Sequence, residues 1–186
     1  MSLGTTPPGN TSEPQRGYHM TSDRLGFGTW EKEDGKLATA IWGDPEVTRL
    51  TGGPFTTEQV YERLVTEISN LRSDGIQYWP IFRLDTGEQL GCCGLRPRDV
   101  AAGVLELGFQ LRREAWGQGY ASEAAKTVIA WAAANGIAAL IAGHHPQNHA
   151  SARALRRLGF TYTHDEHYSP TDKMEPCYRL QIAVHA

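Results

Sequence analysis

The segment that most constrains this chain is residues 107–125, where an apolar alternation runs into a glycine-containing loop and then directly into a helical pattern. The alternation predicts a strand at 104–111, whose Leu105, Leu107, Phe109 and Leu111 share one face. The helical stripe that follows consists of Tyr120, Ala124, Val128 and Trp131. Between them, Gly117 and Gly119 allow the backbone to approach a ligand and to turn its N–H groups inward.

This junction predicts an anion site, because a helix N-terminus offers unpaired N–H donors and the positive end of the helix dipole. A phosphate or pyrophosphate suits such a site. A dinucleotide fold is excluded, since it needs an acidic residue about 20 positions on and no Asp or Glu lies between Lys126 and His164. No GK[ST] sequence is present, which excludes a Walker A loop. The remaining alternative is a tight turn whose glycines serve packing only.

Composition limits the classes of function. The chain has 186 residues, enough for one domain, and its net charge of −3 argues against a nucleic-acid partner. It contains no apolar run of membrane-spanning length and no signal-peptide pattern at Met1–Met20. The odd cysteine count, Cys92, Cys93 and Cys177, indicates reduced thiols, and we therefore expect a cytoplasmic protein.

The pattern of elements predicts one mixed α/β domain around a twisted sheet, in the order βααβββαβαββ. Residues 1–22 are rich in Pro, Gly, Ser and Thr and predict a loosely ordered tail, so the domain is expected to span 23–186. The last two strands are expected at 160–164 and 178–184, and His164–His167 at a solvated turn. His144, His145 and His149 have a metal-like spacing, but Pro146 interrupts any shared helix face and no metal is expected.

A second polar segment, Asn148 to Ser151, opens a helix that ends at Leu158-Gly159-Phe160. Plain capping explains Asn148 and Ser151, because Asn is a strong N-cap. The functional alternative places this polar helix start beside the end of the buried strand 137–143, facing the anion site. Sequence alone leaves the two interpretations open.

The ordered segments 116–124, 146–151 and 158–160 resemble the GNAT superfamily of acetyl-CoA-dependent N-acetyltransferases. They are most similar to the branch that contains RimJ and RimL, the ribosomal-protein N-terminal acetyltransferases. Four earlier segments are also similar to that branch: Asp44–Val47, Gly52–Pro54, Gly91–Leu95 and Glu106–Phe109. The resemblance covers residues 23–182.

The resemblance implies a mostly antiparallel sheet, flanked by helices and splayed between its fourth and fifth strands, with acetyl-CoA bound in the opening. The pantetheine arm would pair with the backbone of Phe109, Gln110 and Leu111 like an added strand. The pyrophosphate would lie on backbone N–H groups of the loop and first helical turn: Gly117, Gln118, Gly119, Tyr120, Ala121 and Ser122. Asn148 and Ser151 would border the thioester. Homodimers are common in the family, so a homodimer is one expectation.

Two positions depart from the general GNAT pattern. Trp116 stands where many members have Gln or Arg, which shifts phosphate binding onto the backbone. Leu155 stands where many members have a tyrosine that protonates the departing thiolate. Ser151, Asn148 or a water would then assist the sulfur, or the thiolate leaves unaided because a thiol pKa near ~8.5 is close to neutrality. Glu123 would repel pyrophosphate and is expected to point away from it.

The implied reaction is attack of an amine on a thioester, and the amine must first lose a proton. Glu106 is the candidate base, because it shares a strand face with Gly108 and Gln110 beside the expected opening. A solvated surface position is its alternative, and His145 or a water chain is the next candidate base. The N–H of Phe109 would stabilise the oxyanion.

Three classes of function are carried forward. The first is an N-acetyltransferase acting on a protein N-terminus or a small-molecule amine. The second is a non-catalytic acyl-CoA-binding module of the same fold, and the third is a plain α+β interaction domain. The acceptor would be chosen by the loops at 44–54, 96–103 and 164–175.

Overall fold

The computed structural model describes residues 16–99 and 101–182. Within these ranges eight strands form one sheet. The strands are β1 (Met20–Thr21), β2 (Leu25–Phe27), β3 (Tyr78–Arg83), β4 (Gln89–Asp99), β5 (Val104–Leu111), β6 (Ala139–Gly143), β7 (Thr161–Tyr168) and β8 (Lys173–Gln181). The predicted fold, a single domain around a mixed sheet, is confirmed.

Five α-helices flank the sheet in the described ranges: α1 (Gly35–Trp42), α2 (Pro45–Thr48), α3 (Thr57–Asp74), α4 (Tyr120–Ala134) and α5 (His149–Arg157). Local sequence sets their ends. Thr56 and Gln59 form a reciprocal capping box at the start of α3, and Gly75 ends that helix in the left-handed conformation. No helix in these ranges is long and apolar enough to cross a membrane.

The sheet has the order β1-β2-β3-β4-β5-β6-β8-β7 and is antiparallel except between β5 and β6. That parallel pairing covers only Val104–Glu106 against Ala139–Ile141. Beyond Glu106 the two strands separate, so one edge of β5 is unpaired as far as Leu111. The splay that the resemblance implied between the fourth and fifth strands therefore lies between β5 and β6, because the short β1 adds one to the count.

Two apolar clusters cover the two faces of the sheet. On one face, Val128 and other residues of α4 pack on strand residues that include Trp79, Cys93 and Leu107. On the other face, α1 and α3 pack around Tyr78 and Cys92. The adjacent cysteines therefore point to opposite faces, as alternation along a strand requires.

The predicted tail is partly wrong. Residues 1–15 lie outside the described ranges, but the chain from Arg16 onward is packed. Arg16 pairs with Asp34, Tyr18 contacts Phe82, and β1 pairs with β2. These long-range contacts could not be read from a segment rich in turn-forming residues, and they move the start of the domain ahead of residue 23.

The C-terminal hairpin also differs from the prediction. His164–His167 lies within strand β7 and is not a turn, and β8 begins at Lys173 rather than 178. The residues of β7 are polar because this edge strand is exposed to solvent along most of its length, so their pattern resembles that of a turn. The predicted residues 183 and 184 of the last strand lie outside the described ranges.

Candidate active site

A cavity of about 250 Å³ lies where β5 and β6 separate. Strands β3 to β6 and the β7–β8 hairpin line the cavity on the sheet side. Helices α3 and α5 and the segment after α2 supply the remaining walls. Five predicted site residues line it: Glu106, Phe109, Gln110, Asn148 and Ser151. Leu111 and the loop 117–122 are not among the lining residues, and they follow at the far end of β5.

The loop glycines are not there for close packing. Gly117 and Gly119 have φ angles of 73° and 83°, a conformation that favours glycine. A Cβ on Gly117 would meet nothing within 4 Å, and one on Gly119 would meet only the Arg24 guanidinium at 3.7 Å. The space beside the loop is therefore open, which disfavours the packing-only alternative.

The start of α4 also leaves its donors available. Gly119 is the N-cap and no side chain caps this helix, whereas Thr56 caps α3 and Asn148 caps α5. The N–H groups of the first turn of an uncapped helix have no intrahelical acceptor. Loop and helix together present a row of backbone donors at one place.

Arg24 is a residue of this region that the sequence did not reveal. Its guanidinium donates to the Gln118 carbonyl at 3.2 Å and lies 4.3 Å from the centre of the Tyr120 ring. Arg24 also donates from Nε to the Glu123 carboxylate at 2.7 Å. Burial acts to raise the pKa of Glu123, but hydrogen bonds from Ser22 and Arg24 outweigh it and lower that pKa. The Glu123 carboxylate therefore points toward Ser22 and Arg24, and the positive charge of Arg24 balances its negative charge.

The free edge of β5 exposes specific peptide groups. Arg112 N–H donates to the Leu90 carbonyl at 2.8 Å, which fixes the register with β4. Because peptide groups alternate along an antiparallel strand, those of Leu107, Phe109 and Leu111 face the separated β6 side. The Leu111 carbonyl already accepts from the Trp116 indole at 2.8 Å. Phe109 therefore presents its N–H and its carbonyl to the opening.

The opposite wall of the cavity is the start of α5 and the end of β6. The Asn148 side chain accepts from the Ser151 N–H at 3.1 Å, so it caps the helix while lining the cavity. Capping and a place in the site are therefore compatible. His144, which the sequence did not single out for this wall, is buried there with Nε2 3.4 Å from the Tyr178 hydroxyl.

On the face of β5 that carries Glu106, the neighbouring side chain is Tyr78. Its hydroxyl lies 3.4 Å from Glu106 Oε1, a long hydrogen bond. Gly108 is required between them, because a Cβ there would overlap the tyrosine hydroxyl. Burial, and then the charge of Glu106, holds the pKa of Tyr78 well above its usual range, so the hydroxyl stays a donor to the carboxylate.

A second carboxylate, that of Glu175 on β8, lines the same cavity as Glu106. Glu175 is buried, and burial raises its pKa, an effect that nearby Glu106 reinforces. Thr171 donates a hydrogen bond to it at 3.2 Å. The sequence could not reveal this residue, because it lies in a segment predicted to be loop and reaches the site only when the hairpin folds back.

Gln110 is a junction between three elements. Its Oε1 accepts from the Trp42 indole at 2.9 Å and from Arg63 at 3.2 Å, and its Nε2 donates to Thr51 at 3.3 Å. This network ties α1, α3 and the segment after α2 to the middle of the sheet. Its predicted contact with a cofactor stays a prediction.

The histidines do not gather as metal ligands. In the described part of the chain, the one group with suitable spacing is His164, Glu166 and Cys177, whose ligand atoms lie within 4.8 Å of one another. Glu166 there already pairs with Arg98. Burial raises the pKa of Cys177 to about 11, so its sulfur is a thiol near neutral pH in the absence of a metal ion. His145 lines the cavity instead, where burial and the charges of Lys173 and Arg49 lower its pKa.

Comparison with known proteins agrees with this geometry. A family model described as an acetyltransferase (GNAT) domain matches residues 24–161. The uncharacterized N-acetyltransferase p20 of Bacillus licheniformis is 31% identical over 144 residues, covering 76% of this chain and 81% of that protein. Half of the chain or more is therefore matched by each comparison.

Two solved structures share the fold. An acetyltransferase from Agrobacterium tumefaciens is 24% identical with a TM-score of 0.75, covering 95% of this chain and 99% of that one. RimL, a ribosomal L7/L12 α-N-protein acetyltransferase solved with coenzyme A, is 17% identical with a TM-score of 0.77, covering 88% and 97%. Because the family model spans β2 to β6, the glycine loop and α5, which is more than half of the chain, the chain belongs to the GNAT family of acetyltransferases.

Proposed function

We propose that the protein transfers the acetyl group of acetyl-CoA to a primary amine by direct attack on the thioester. The observation that carries this proposal is the unpaired edge of β5, which runs from Glu106 at one end to the glycine loop at the other. Along this one strand, the candidate base comes first, the cavity next to it, and the candidate anion site last. A RimJ/RimL-like place within the family and a cytoplasmic location belong to the same proposal, the latter because the described cysteines are free thiols.

The cofactor half of the proposal uses backbone groups. The pyrophosphate would accept hydrogen bonds from N–H groups of the loop 117–122 and the first turn of α4. Arg24 adds a positive charge beside this loop, offset by Glu123. The pantetheine amides would pair with the Phe109 peptide group in the opening, in the manner of an added strand. Acetyl-CoA would thus be held without a lysine or a metal ion.

The amine half uses carboxylates. An amine near neutral pH is mostly ammonium, since a lysine-type amine has a pKa of about 10.4 and an α-amine about 8. Glu106 would attract the ammonium and take its proton, directly or through a water. Tyr78 fixes the carboxylate in place, and Glu175 beside it is the second acceptor that the fold supplies.

Attack of the free amine on the thioester carbonyl would form a tetrahedral oxyanion. The Phe109 N–H, which faces the opening, is the donor placed to stabilise it. Collapse of that intermediate breaks the carbon–sulfur bond and releases CoA as a thiolate. Leu155 supplies no proton, so Ser151 or Asn148 on the same wall would assist the sulfur, or it would leave as the thiolate.

A non-catalytic acyl-CoA-binding module is the competing function. Such a module would need the loop and the β5 edge but no carboxylate at Glu106 beside the Tyr78 hydroxyl. The decisive experiment mixes the full chain with acetyl-CoA and a panel of small amines and N-terminal peptides, and measures release of free CoA thiol and acetylated product. Binding of CoA by calorimetry without turnover on any amine would support the module, and no binding would contradict both functions.

A further inference from the structure

Arg63 on α3 is a charged side chain that the reaction above does not use. It lines the cavity, and its guanidinium stacks 4.7 Å from the Trp42 ring centre and 5.9 Å from that of Phe55. One guanidinium nitrogen donates to Gln110 at 3.2 Å. Its Nε is buried without a hydrogen-bond partner in the part of the chain that the structure describes. A fork with five N–H donors is thus largely unused.

Charge pairing sets Arg63 apart from the other arginines of the cavity. Arg96 pairs with Glu67, and Arg98 pairs with Glu166. Across residues 16–99 and 101–182, no carboxylate lies within ion-pair distance of Arg63. Burial and the like charge of Arg96 lower the pKa of Arg63. The charge of nearby Glu67 acts in the opposite direction, but that carboxylate is already paired with Arg96. A half-buried cation with no ion-pair partner of its own suits an anionic ligand.

We propose that Arg63 binds an anionic group of the acceptor, so that the substrate is a small amine carrying a carboxylate or a phosphate. This inference rests on the proposed acetyl transfer and specifies its acceptor. The guanidinium fork suits such oxyanions because it offers parallel N–H donors in a fixed plane.

The remaining charges of the cavity support an acceptor with charges of opposite sign. Glu106 and Glu175 form an acidic region suited to the ammonium group, and Arg63 forms a basic one. Tyr168 lines the same cavity as Arg63, Glu106 and Glu175. The acidic and the basic region therefore lie around a single compartment.

A contact over this compartment favours a small acceptor. The segment after α2 meets the tip of the β7–β8 hairpin at Gly52, where a Cβ would lie only 2.7 Å from the Pro170 Cβ. The two segments approach closely, and glycine is required at this contact. Residues next to this contact, Thr51 and Tyr168, line the cavity, so the two segments cover it on the acceptor side. An amine of a few carbons fits beneath them more readily than a folded protein surface.

The test compares amines that differ only in charge: 4-aminobutyrate against 4-aminobutyramide, and 3-aminopropyl phosphate against 3-amino-1-propanol. In the unaltered chain we expect kcat/KM to favour the anionic member at least about tenfold, the effect of a charge-assisted contact. In Arg63→Gln we expect that preference to fall to about one, because kcat/KM should fall more for the anionic member of each pair than for the neutral one. The carboxylate and phosphate pairs show which oxyanion is preferred.

Two further variants keep the inference falsifiable. Arg63→Lys retains charge without the fork and should keep part of the preference. Arg72→Gln changes an exposed arginine on the same helix and should leave the preference intact. Calorimetry of 4-aminobutyrate on the CoA-loaded chain gives a readout without turnover, and Arg63→Gln should abolish its binding. The inference would be overturned by equal rates for the charged and the neutral amines, or by equal rates for peptides whatever their charge. If no amine is acetylated, the proposed function is contradicted instead.

Discussion

The wall of the cavity proposed to hold the cofactor consists of backbone, whereas the wall proposed to hold the acceptor consists of side chains. The first wall is nearly continuous in sequence, from β5 through the glycine loop into α4. The second combines Arg63, Tyr78, Glu106, Tyr168 and Glu175, which span more than half of the chain. The contrast teaches that a pyrophosphate and an amide chain are recognised by groups that every residue has, while an acceptor is chosen by a few side chains.

The largest effect is expected where the two walls meet, at Glu106. Glu106→Gln keeps the shape of the side chain and removes its proton acceptor, so turnover should fall ~10²-fold or more while acetyl-CoA affinity is unchanged. Raising the pH should partly restore turnover, because more free amine then forms without a base. Steady-state rates and calorimetry on the same preparation measure both quantities, with the exposed Glu88→Gln as control. Near-normal turnover at pH 7 would leave Glu175, His145 or a water chain as the base.

The next effect concerns the N-terminal segment, which joins the cofactor wall through Ser22 and Arg24. A chain that begins at Thr21 loses the contacts of Arg16, Tyr18 and Met20, and should lose about 2 kcal/mol of unfolding free energy. For a domain of this size the melting temperature would fall by about 4–8 °C. A chain that begins at Arg16 is the matched control. Equal melting temperatures for the two shortened chains would restore the predicted loose tail up to residue 22.

The backbone character of the cofactor wall is tested at Gly119. Gly119→Val places a branched side chain at positive φ beside the open face of the loop, and should raise the acetyl-CoA Kd at least tenfold, about 1.4 kcal/mol. Gly136→Val introduces the same strain at φ 72° after α4, away from the site. Calorimetry below both melting temperatures separates strain from lost binding. Unchanged affinity in a folded Gly119→Val chain would contradict the pyrophosphate assignment.

The smallest effect is expected at Glu123, which links β2 to α4. Because its folded pKa is lowered, its ion pair with Arg24 stabilises the folded state above the unfolded pKa, and this is lost as pH falls through the folded pKa. Glu123→Gln should cost about 1 kcal/mol at pH 7, and the difference from the unaltered chain should shrink below about pH 4. Urea unfolding at both pH values measures it, with the exposed Glu114→Gln as control. A difference that does not depend on pH would assign the effect to packing.

Much of the cofactor wall could be predicted from sequence because its signals are local. Alternation gave β5 its bounds, and the helix stripe with glycines before it gave α4 its start. Of the two helix starts that the sequence singled out, that of α5 lines the cavity, and that of α4 follows the far end of β5. Each of these features depends on neighbours within a few residues, which is where periodicity and capping carry information.

The acceptor wall could not be predicted, because no local pattern relates its members. No sequence pattern distinguishes Arg63 from the other arginines, and Glu175 lies in a segment that was predicted to be a loop. Arg24 reached the glycine loop only through the pairing of β2 with β3. Ion pairing decides which charged side chain is left free to bind a ligand. A sequence does not show which arginine pairs with which carboxylate.

The sequence by itself determined most of the elements, their order and the glycine loop at the strand-to-helix junction, because hydrophobic period, glycine and capping residues act over short distances. The tertiary structure alone decided that β5 and β6 pair over three residues and then separate, that Tyr78 meets Glu106 in a cavity that Glu175 also lines, and that Arg63 has no carboxylate within ion-pair distance among the described residues. Those facts depend on long-range packing, in which the same side chain is solvated, paired or buried according to what the rest of the chain brings to it.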